Sequence, residues 1–146
     1  MNINENSLYY LCSLIEAIGR KTNQERSVVV DYLGTEGIKR IYSHASVLHC
    51  EPLEVVAEKY SEIINIPKGS FDNIKNCEYK IPTCFEIGAI YQRLIMDVCE
   101  DKDFLTTLFE VYHSFLSNAI QNFNTSLYYQ SREYLAACYK ENKILL

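Results

Sequence analysis

Apolar residues recur along this chain at intervals of three and four positions, the spacing of one face of an α-helix. Leu8, Leu11, Ile15 and Ile18 follow it near the start of the chain and predict a helix over residues 8–21. Similar patterns bounded by capping residues predict helices over residues 24–33, 36–48, 53–64, 84–100, 104–123 and 127–141. The sequence therefore predicts an all-α fold of about seven helices in a single domain.

A long break at residues 65–81 divides the predicted helices into two halves. It contains Pro67 and Gly69, which favour turns over helix. Four short helices over residues 7–64 precede the break, and three helices over residues 82–142 follow it. Because the connections within the first half are only one to four residues long, we expect antiparallel packing. The break itself is predicted to be an ordered crossover loop.

The segment Ile81–Glu100 is predicted to contain the central helix, near residues 84–100. Thr83 and Glu86 have the spacing of a capping box at its start. Most of the following residues are apolar, so we expect neighbouring helices to cover this helix on most sides. The exceptions form one narrow charged stripe on the helix surface: Glu86, Arg93, Asp97 and Glu100.

This charged stripe has two interpretations. Arg93 and Asp97 are four residues apart and can pair, and together with Glu86 they would form a charged groove at the centre of the domain. Alternatively, the stripe is exposed to solvent, and its ion pair then contributes about 0.3–0.5 kcal/mol. The exposed stripe is the favoured interpretation.

The composition of the chain indicates which kinds of partner and which cellular compartment to expect. The chain of 146 residues has a formal net charge of −5, which disfavours broad binding to nucleic-acid phosphates. Its six cysteines form no CxxC pair, so we expect reduced thiols rather than a disulfide scaffold. The N-terminus lacks the basic region of a signal peptide, and the longest uncharged run, Val111–Ser131, is too polar to span a bilayer. We expect a cytoplasmic protein without a membrane partner.

His44, His49 and Cys50 are the candidate residues for a metal site or for a small hydrolytic enzyme. The two histidines are five residues apart, whereas two imidazoles that share a metal ion on a helix are four apart. The chain also lacks a GxSxG elbow, a GxGxxG loop and a complete P-loop. We therefore expect no catalytic residue, no metal and no cofactor, and an enzyme using this cluster is the second alternative.

Residues 24–48 have the outline of a helix-turn-helix, with two short helices joined at Gly34. The second helix would present four polar residues outward: Lys39, Arg40, Ser43 and His44. The first fifty residues, however, carry five basic and five acidic side chains and no basic stripe. A DNA-binding regulator is therefore the first alternative function.

Tyrosine is abundant in this chain, with twelve tyrosines and no tryptophan. Tyrosine is enriched at protein interfaces because it buries a large area and keeps a polar tip. One residue of each adjacent pair, Tyr9-Tyr10 and Tyr128-Tyr129, should point away from the core. The candidates for partner binding are Tyr10, Tyr128, Tyr129 and Tyr139. A core tyrosine whose hydroxyl reaches water at the rim is an equally good interpretation of each.

Four stretches of the chain are informative together: Leu8–Glu16, Ile38–Glu51, Ile81–Thr83 and Glu86–Tyr91. They resemble a small all-helical family of Gram-positive gut bacteria for which no activity is established. The resemblance implies a gene neighbourhood of toxin–antitoxin or surface-recognition type, and hence a partner protein. The favoured function is therefore a non-enzymatic protein–protein interaction module, an accessory or antitoxin-like partner of another protein, with a homodimer as the simplest variant.

Overall fold

A computed structural model describes residues 2–145, and every regular element in that range is helical. The predicted all-α single-domain fold is confirmed, and one continuous hydrophobic core joins its helices. The elements are α1 (Glu5–Thr22), α2 (Arg26–Leu48), α3 (Leu53–Ile63), α4 (Cys84–Val98), α5 (Phe104–Tyr112), α6 (Phe115–Ile120), a short 3-10 helix (Leu127–Tyr129) and α7 (Arg132–Glu141).

Helix α1 lies at the centre of the bundle. All its residues from Tyr10 to Gly19 are buried, and it packs against α2, α3 and α4. The predicted central helix, α4, packs along α1 and also contacts α5 and α7, but it keeps an exposed side. The centre therefore lies at α1 rather than near residues 84–100. Helix α1 can be covered on every side because Glu16 is the only charged residue between Leu8 and Gly19, so few charges have to be buried.

Helices α1 and α4 run antiparallel. At one end of the pair, Gln92 Nε2 donates a hydrogen bond to the carbonyl oxygen of Glu5 at 3.2 Å. At the other end, Arg20 Nη2 donates to the carbonyl oxygen of Pro82 at 2.7 Å. The start of α4 is thereby fixed to the last turn of α1.

Helices α1 and α4 each begin with a side-chain cap. The predicted capping box of α4 is confirmed: Thr83 Oγ1 accepts from the Glu86 amide at 3.0 Å, and Glu86 Oε1 accepts from the Thr83 amide at 2.8 Å. Helix α1 begins earlier than predicted, because its cap is Asn4, whose Oδ1 accepts from the Ser7 amide at 3.1 Å.

The two predicted helices at 24–33 and 36–48 correspond to the two segments of α2, which meet at a kink. The kink lies at Gly34, with φ 66° and ψ 176°. This backbone conformation favours glycine, because a side chain at positive φ is strained. Gly34 therefore interrupts the helical backbone between the two predicted segments.

The two predicted C-terminal helices are each divided. Ser114 interrupts residues 104–123 and caps α6 through its side-chain oxygen, so α5 and α6 replace one long helix. In the same way Ser131 caps α7, which leaves a short 3-10 helix at the start of residues 127–141. Serine competes locally with the helical backbone for hydrogen bonds, and the apolar period does not register that competition.

Residues 65–81 form no regular helix, in agreement with the predicted crossover. The crossover is anchored on the end of α1. The Gly69 amide donates to the carbonyl oxygen of Thr22 at 2.8 Å, and the Phe71 amide donates to that of Asn23 at 2.9 Å. This anchoring brings Asn73 beside the first turn of α2, where it joins a buried polar network.

Candidate functional site

A buried ion pair lies at the junction of α1 and α2. Arg26 Nε donates to Glu16 Oε1 at 3.0 Å, and Arg26 Nη2 donates to Glu16 Oε2 at 2.8 Å. Both side chains are 1% exposed. Removing two charges from water costs free energy unless the two groups pair with good geometry. A bidentate guanidinium–carboxylate pair, as formed here, is the strongest such geometry.

Two further residues complete the hydrogen bonding of Glu16. Arg20 Nε donates to Glu16 Oε2 at 2.9 Å, and Gln121 Nε2 donates to Glu16 Oε1 at 2.9 Å. Burial alone would raise the pKa of Glu16, but the charge and hydrogen bonds of Arg26, followed by Arg20 and Gln121, lower it to about 2. Glu16 is therefore ionised at neutral pH and does not serve as a general acid.

The charge of Glu16 also orients the amides behind it. Gln121 turns its NH₂ group towards Glu16 and towards the Tyr91 hydroxyl at 3.1 Å, so its Oε1 faces the opposite way. Asn73 Nδ2 donates to that Oε1 at 3.0 Å and to the Gln121 carbonyl oxygen at 2.8 Å. Asn73 Oδ1 in turn lies 3.4 Å from Arg26 Nη2. The network thus gives each amide one orientation.

Above this network lies a pocket of about 310 Å³, which we call the amide-lined pocket. It lies between the crossover segment 70–76 and the chain segment 118–124. Its lining contains six amide side chains, two aromatic rings, a serine and a carboxylate: Ser70, Phe71, Asp72, Asn73, Asn76, Asn118, Gln121, Asn122, Phe123 and Asn124. The Asn73–Gln121 pair connects this lining directly to the buried ions.

A second concave site, the aromatic groove, has a volume of about 380 Å³. The side chains of Tyr9, Tyr10, Ala45 and Phe85 form its apolar part, and a polar rim surrounds them: Asn4, Asn6, Ser7, Ser46 and His49. The rings of Tyr9 and Phe85 are 5.8 Å apart, and Phe85 is 42% exposed. The groove thus presents aromatic surface to solvent.

The structure distributes the predicted partner-binding tyrosines over different surroundings. Tyr10 is only 5% exposed, in agreement with the alternative of a core tyrosine, and its ring forms part of the aromatic groove; its role in partner binding stays a prediction. Burial, followed by the nearby Tyr60 and Glu51, raises its pKa to about 12. Tyr129 is 67% exposed, whereas the other two predicted tyrosines are half-buried against the core: Tyr128 and Tyr139.

The predicted charged stripe does not form its internal ion pair. Asp97 instead binds Arg132 of α7, with Arg132 Nε to Asp97 Oδ2 at 2.9 Å and Arg132 Nη2 to Asp97 Oδ1 at 2.7 Å. Glu86 completes the capping box of α4 with Thr83, and Arg93 is exposed. The proximity of α7 explains the change, because a guanidinium on a neighbouring helix reaches both carboxylate oxygens. No charged groove results at the centre of the domain.

His44, His49 and Cys50 are all exposed, and the fold does not assemble them into a metal site. His44 Nδ1 lies 2.8 Å from the carbonyl oxygen of Arg40 in its own helix. Within residues 2–145, no three histidine, cysteine, aspartate or glutamate side chains are grouped to hold a metal ion. His49 lies instead on the rim of the aromatic groove.

The polar residues that would read DNA in the predicted helix-turn-helix lie on the outer surface of α2. All four of its polar candidates are exposed: Lys39, Arg40, Ser43 and His44. At Gly34 the backbone is not helical, so two helical segments meet there at a kink. A role for these residues in reading DNA stays a prediction.

The buried network was missed by the sequence patterns, although one signal was present. Glu16 is the only charged residue in the run Leu8–Gly19, which has almost no polar face. A carboxylate in such a helix must find a buried partner when the helix is covered on every side. The identity of the partners, Arg26 and Gln121, has no local signature, because they come from other helices.

No family model, curated protein or solved structure matches this chain. In the part of the chain that the structure describes, no helix combines the length and the apolar character needed to cross a membrane.

Proposed function

We propose that this protein is a cytoplasmic, non-enzymatic interaction module that binds an apolar side chain of a partner protein in the aromatic groove. The protein would act as an accessory or antitoxin-like partner of that protein. The observation that carries the proposal is a groove of about 380 Å³ that presents the rings of Tyr9 and Phe85 beside a polar rim. An apolar centre with a polar rim is the usual anatomy of a protein-binding hot spot.

The charges near the groove indicate the chemistry of the partner. Glu51 lies close enough to Tyr10 to contribute to its raised pKa, and its own carboxylate is paired with Lys59 at 2.8 Å. Three further glutamates are exposed at four-residue intervals along α3, which packs against α1: Glu54, Glu58 and Glu62. An acidic helix attracts lysine and arginine side chains. The proposed partner segment therefore carries basic residues next to its apolar anchor.

The state of the cysteines supports the proposed compartment. All six are free thiols, and three of them are buried: Cys12, Cys99 and Cys138. Burial raises the pKa of Cys12 to about 12, so this thiol is protonated and inert at neutral pH. Thiols used as core packing are typical of a reducing compartment.

The test fills the groove without disturbing the core. Asn6 is exposed on the groove rim, and Asn6→Trp would place an indole in the space that the partner's side chain needs. The matched control is Asn118→Trp, which puts the same side chain on the exposed rim of the amide-lined pocket. A partner is first isolated with the wild-type protein, and its affinity for each variant is then measured by calorimetry.

We expect Asn6→Trp to weaken partner binding at least about tenfold, which corresponds to about 1.4 kcal/mol, and Asn118→Trp to leave it unchanged. Phe85→Ala should weaken it as well, because removal of an aromatic anchor typically costs more than truncation at the rim. The proposal fails if a captured partner binds Asn6→Trp and Phe85→Ala as tightly as the wild type, or if no partner is captured.

A further inference from the structure

The amide-lined pocket is a second site, separate from the aromatic groove, because the two share no lining residue. Its volume of about 310 Å³ falls within the range of small-molecule sites. Its lining contains no lysine, arginine or histidine. Arg20 and Arg26 lie behind the lining rings of Phe123 and Phe71, 5.3 and 5.7 Å from the ring centroids, but both are paired with Glu16. Phosphate and other anions would therefore meet no unpaired positive charge on the pocket wall, and Asp72 would repel them.

The floor of the pocket is built in advance. Gln121 is 3% exposed, and its NH₂ group is taken by Glu16 and Tyr91. The NH₂ group of Asn73 is likewise taken by Gln121. The orientation of both amides follows from the buried charge of Glu16, so they do not have to reorganise when a ligand arrives, and a preorganised site loses less free energy on binding.

The remaining capacity of this floor is for accepting hydrogen bonds. Gln121 Oε1 accepts from Asn73 Nδ2, and Asn73 Oδ1 accepts only the long contact from Arg26 Nη2. An amide oxygen has two lone pairs, so each of these oxygens retains acceptor capacity within the described network. A ligand that donates O–H or N–H groups matches such a floor.

The rim adds groups that both donate and accept. Asn118 and Asn122 are exposed amides at the pocket edge, and Asp72 supplies a carboxylate. The half-buried ring of Phe71 supplies an apolar wall. A hydroxyl group also both donates and accepts, and a sugar ring combines several hydroxyls with an apolar C–H face.

We infer that the amide-lined pocket binds a neutral polyhydroxylated ligand, namely a monosaccharide, either free or at the end of a glycan. Amide and carboxylate side chains hydrogen-bond its hydroxyl groups, and Phe71 packs against its C–H face. The absence of a basic group in the lining distinguishes this ligand from a sugar phosphate or a nucleotide. The inference concerns a site that the proposed protein partner does not occupy.

The test is an NMR titration, in which glucose, galactose, mannose and N-acetylglucosamine are each added to the ¹⁵N-labelled full chain. We expect saturable shifts for at least one sugar, concentrated in the side-chain amide signals of Gln121, Asn118 and Asn122. The methyl glycosides of the same sugars distinguish the two sources, because a site for glycan ends accepts the methyl group at the anomeric oxygen. Uridine and adenosine serve as neutral comparison ligands.

Two variants make the result specific to the pocket. Asn118→Trp fills the space, and Asn118→Leu removes one amide at similar volume; each should weaken sugar binding at least about tenfold. Asn6→Trp, in the aromatic groove, should leave it unchanged. The inference is overturned if no sugar gives a saturable shift, if both Asn118 variants bind as the wild type does, or if only the nucleosides bind.

Discussion

Arg26 and Glu16 meet inside the core through two parallel N–H···O hydrogen bonds of 3.0 and 2.8 Å, one to each oxygen of the carboxylate. The pair joins the first turn of α2 to the middle of the central helix. It is also the support of the amide-lined pocket, since Gln121 and Asn73 take their orientation from it.

Removal of one member of this pair should destabilise the protein strongly. Arg26→Met keeps a side chain of similar length but leaves the buried carboxylate of Glu16 with only Arg20 and Gln121. We expect the free energy of unfolding, measured with urea, to fall by about 3 kcal/mol or more, the usual cost when a buried pair loses one partner.

The chain offers a matched control on its surface. Arg132 also donates two hydrogen bonds to one carboxylate, that of Asp97, but their side chains are 43% and 26% exposed. Arg132→Met should lower the free energy of unfolding by less than about 1 kcal/mol, because solvent screens the pair. Equal losses for the two methionine variants would mean that burial does not determine the strength of the Arg26–Glu16 pair.

The same carboxylate should make stability depend on pH in the acid range. The pKa of Glu16 falls from its ordinary 4.5 to about 2 in the folded protein. A lowered folded-state pKa gives a contribution that is fully present above pH 4.5 and is lost as pH falls from 4.5 towards 2. The contribution is on the order of 3 kcal/mol.

Urea unfolding of the wild type and of Glu16→Gln at a series of acid pH values isolates this effect. The variant lacks the titrating group, so its free energy of unfolding should decline less between pH 4.5 and 2. Parallel pH profiles for the two proteins would refute the assignment of the acid sensitivity to Glu16.

The contact between α1 and α4 should not tolerate a methyl group at Gly88. A Cβ built there would lie 2.1 Å from Ser13 Oγ and 2.8 Å from the Ser13 backbone nitrogen. The backbone atoms cannot move without a shift of a whole helix, so Gly88→Ala should cost about 1–3 kcal/mol of stability. Gly37→Ala is the control, because its Cβ would lie 3.3 Å from Leu33 Cβ, and its effect should stay within about 1 kcal/mol. Thermal unfolding of both variants decides the point.

His113 should be protonated more readily than an ordinary histidine. Its Nδ1 lies 2.7 Å from the carbonyl oxygen of Phe109, and its Nε2 lies 2.9 Å from Asp31 Oδ1. Partial burial lowers its pKa, but these two acceptors raise it further than burial lowers it, because only the doubly protonated ring donates to both. Its stabilising contribution is therefore present below the unfolded-state pKa and disappears as pH rises through the folded-state pKa.

NMR titration of the His113 ring measures this pKa directly. Asp31→Asn should lower it, because the amide removes the negative charge beside Nε2. A His113 pKa that does not change in Asp31→Asn would show that the ion pair is absent in solution.

Much of the fold was predictable because it depends on neighbours in sequence. The apolar period identified the helices, and the Thr83–Glu86 capping box formed as its spacing predicts. The division of residues 104–123 was missed, since the Ser114 hydroxyl donates to the carbonyl oxygen of Val111 at the end of α5 and accepts from the Ser117 amide at the start of α6. Local competition of this kind does not alter the period of the apolar residues.

The candidate sites were much less predictable. The sequence left open whether Tyr10 lies in the core or at an interface, because its burial depends on how α2 and α3 cover α1. Asp97 had a suitable partner four residues away and bound Arg132, 35 residues away, instead. The geometry of a guanidinium on the neighbouring helix was better, and sequence spacing carries no information about it.

Helix positions, the crossover and the overall helical class thus follow from periodicity, capping and turn residues, which act over a few positions of the chain. The choice of α1 as the central helix, and the meeting of Glu16 with Arg26 and with Gln121 across 105 residues, depend on tertiary packing. Packing decides these features because a buried charge takes the partners that the neighbouring helices bring within hydrogen-bond distance, wherever those partners stand in the sequence.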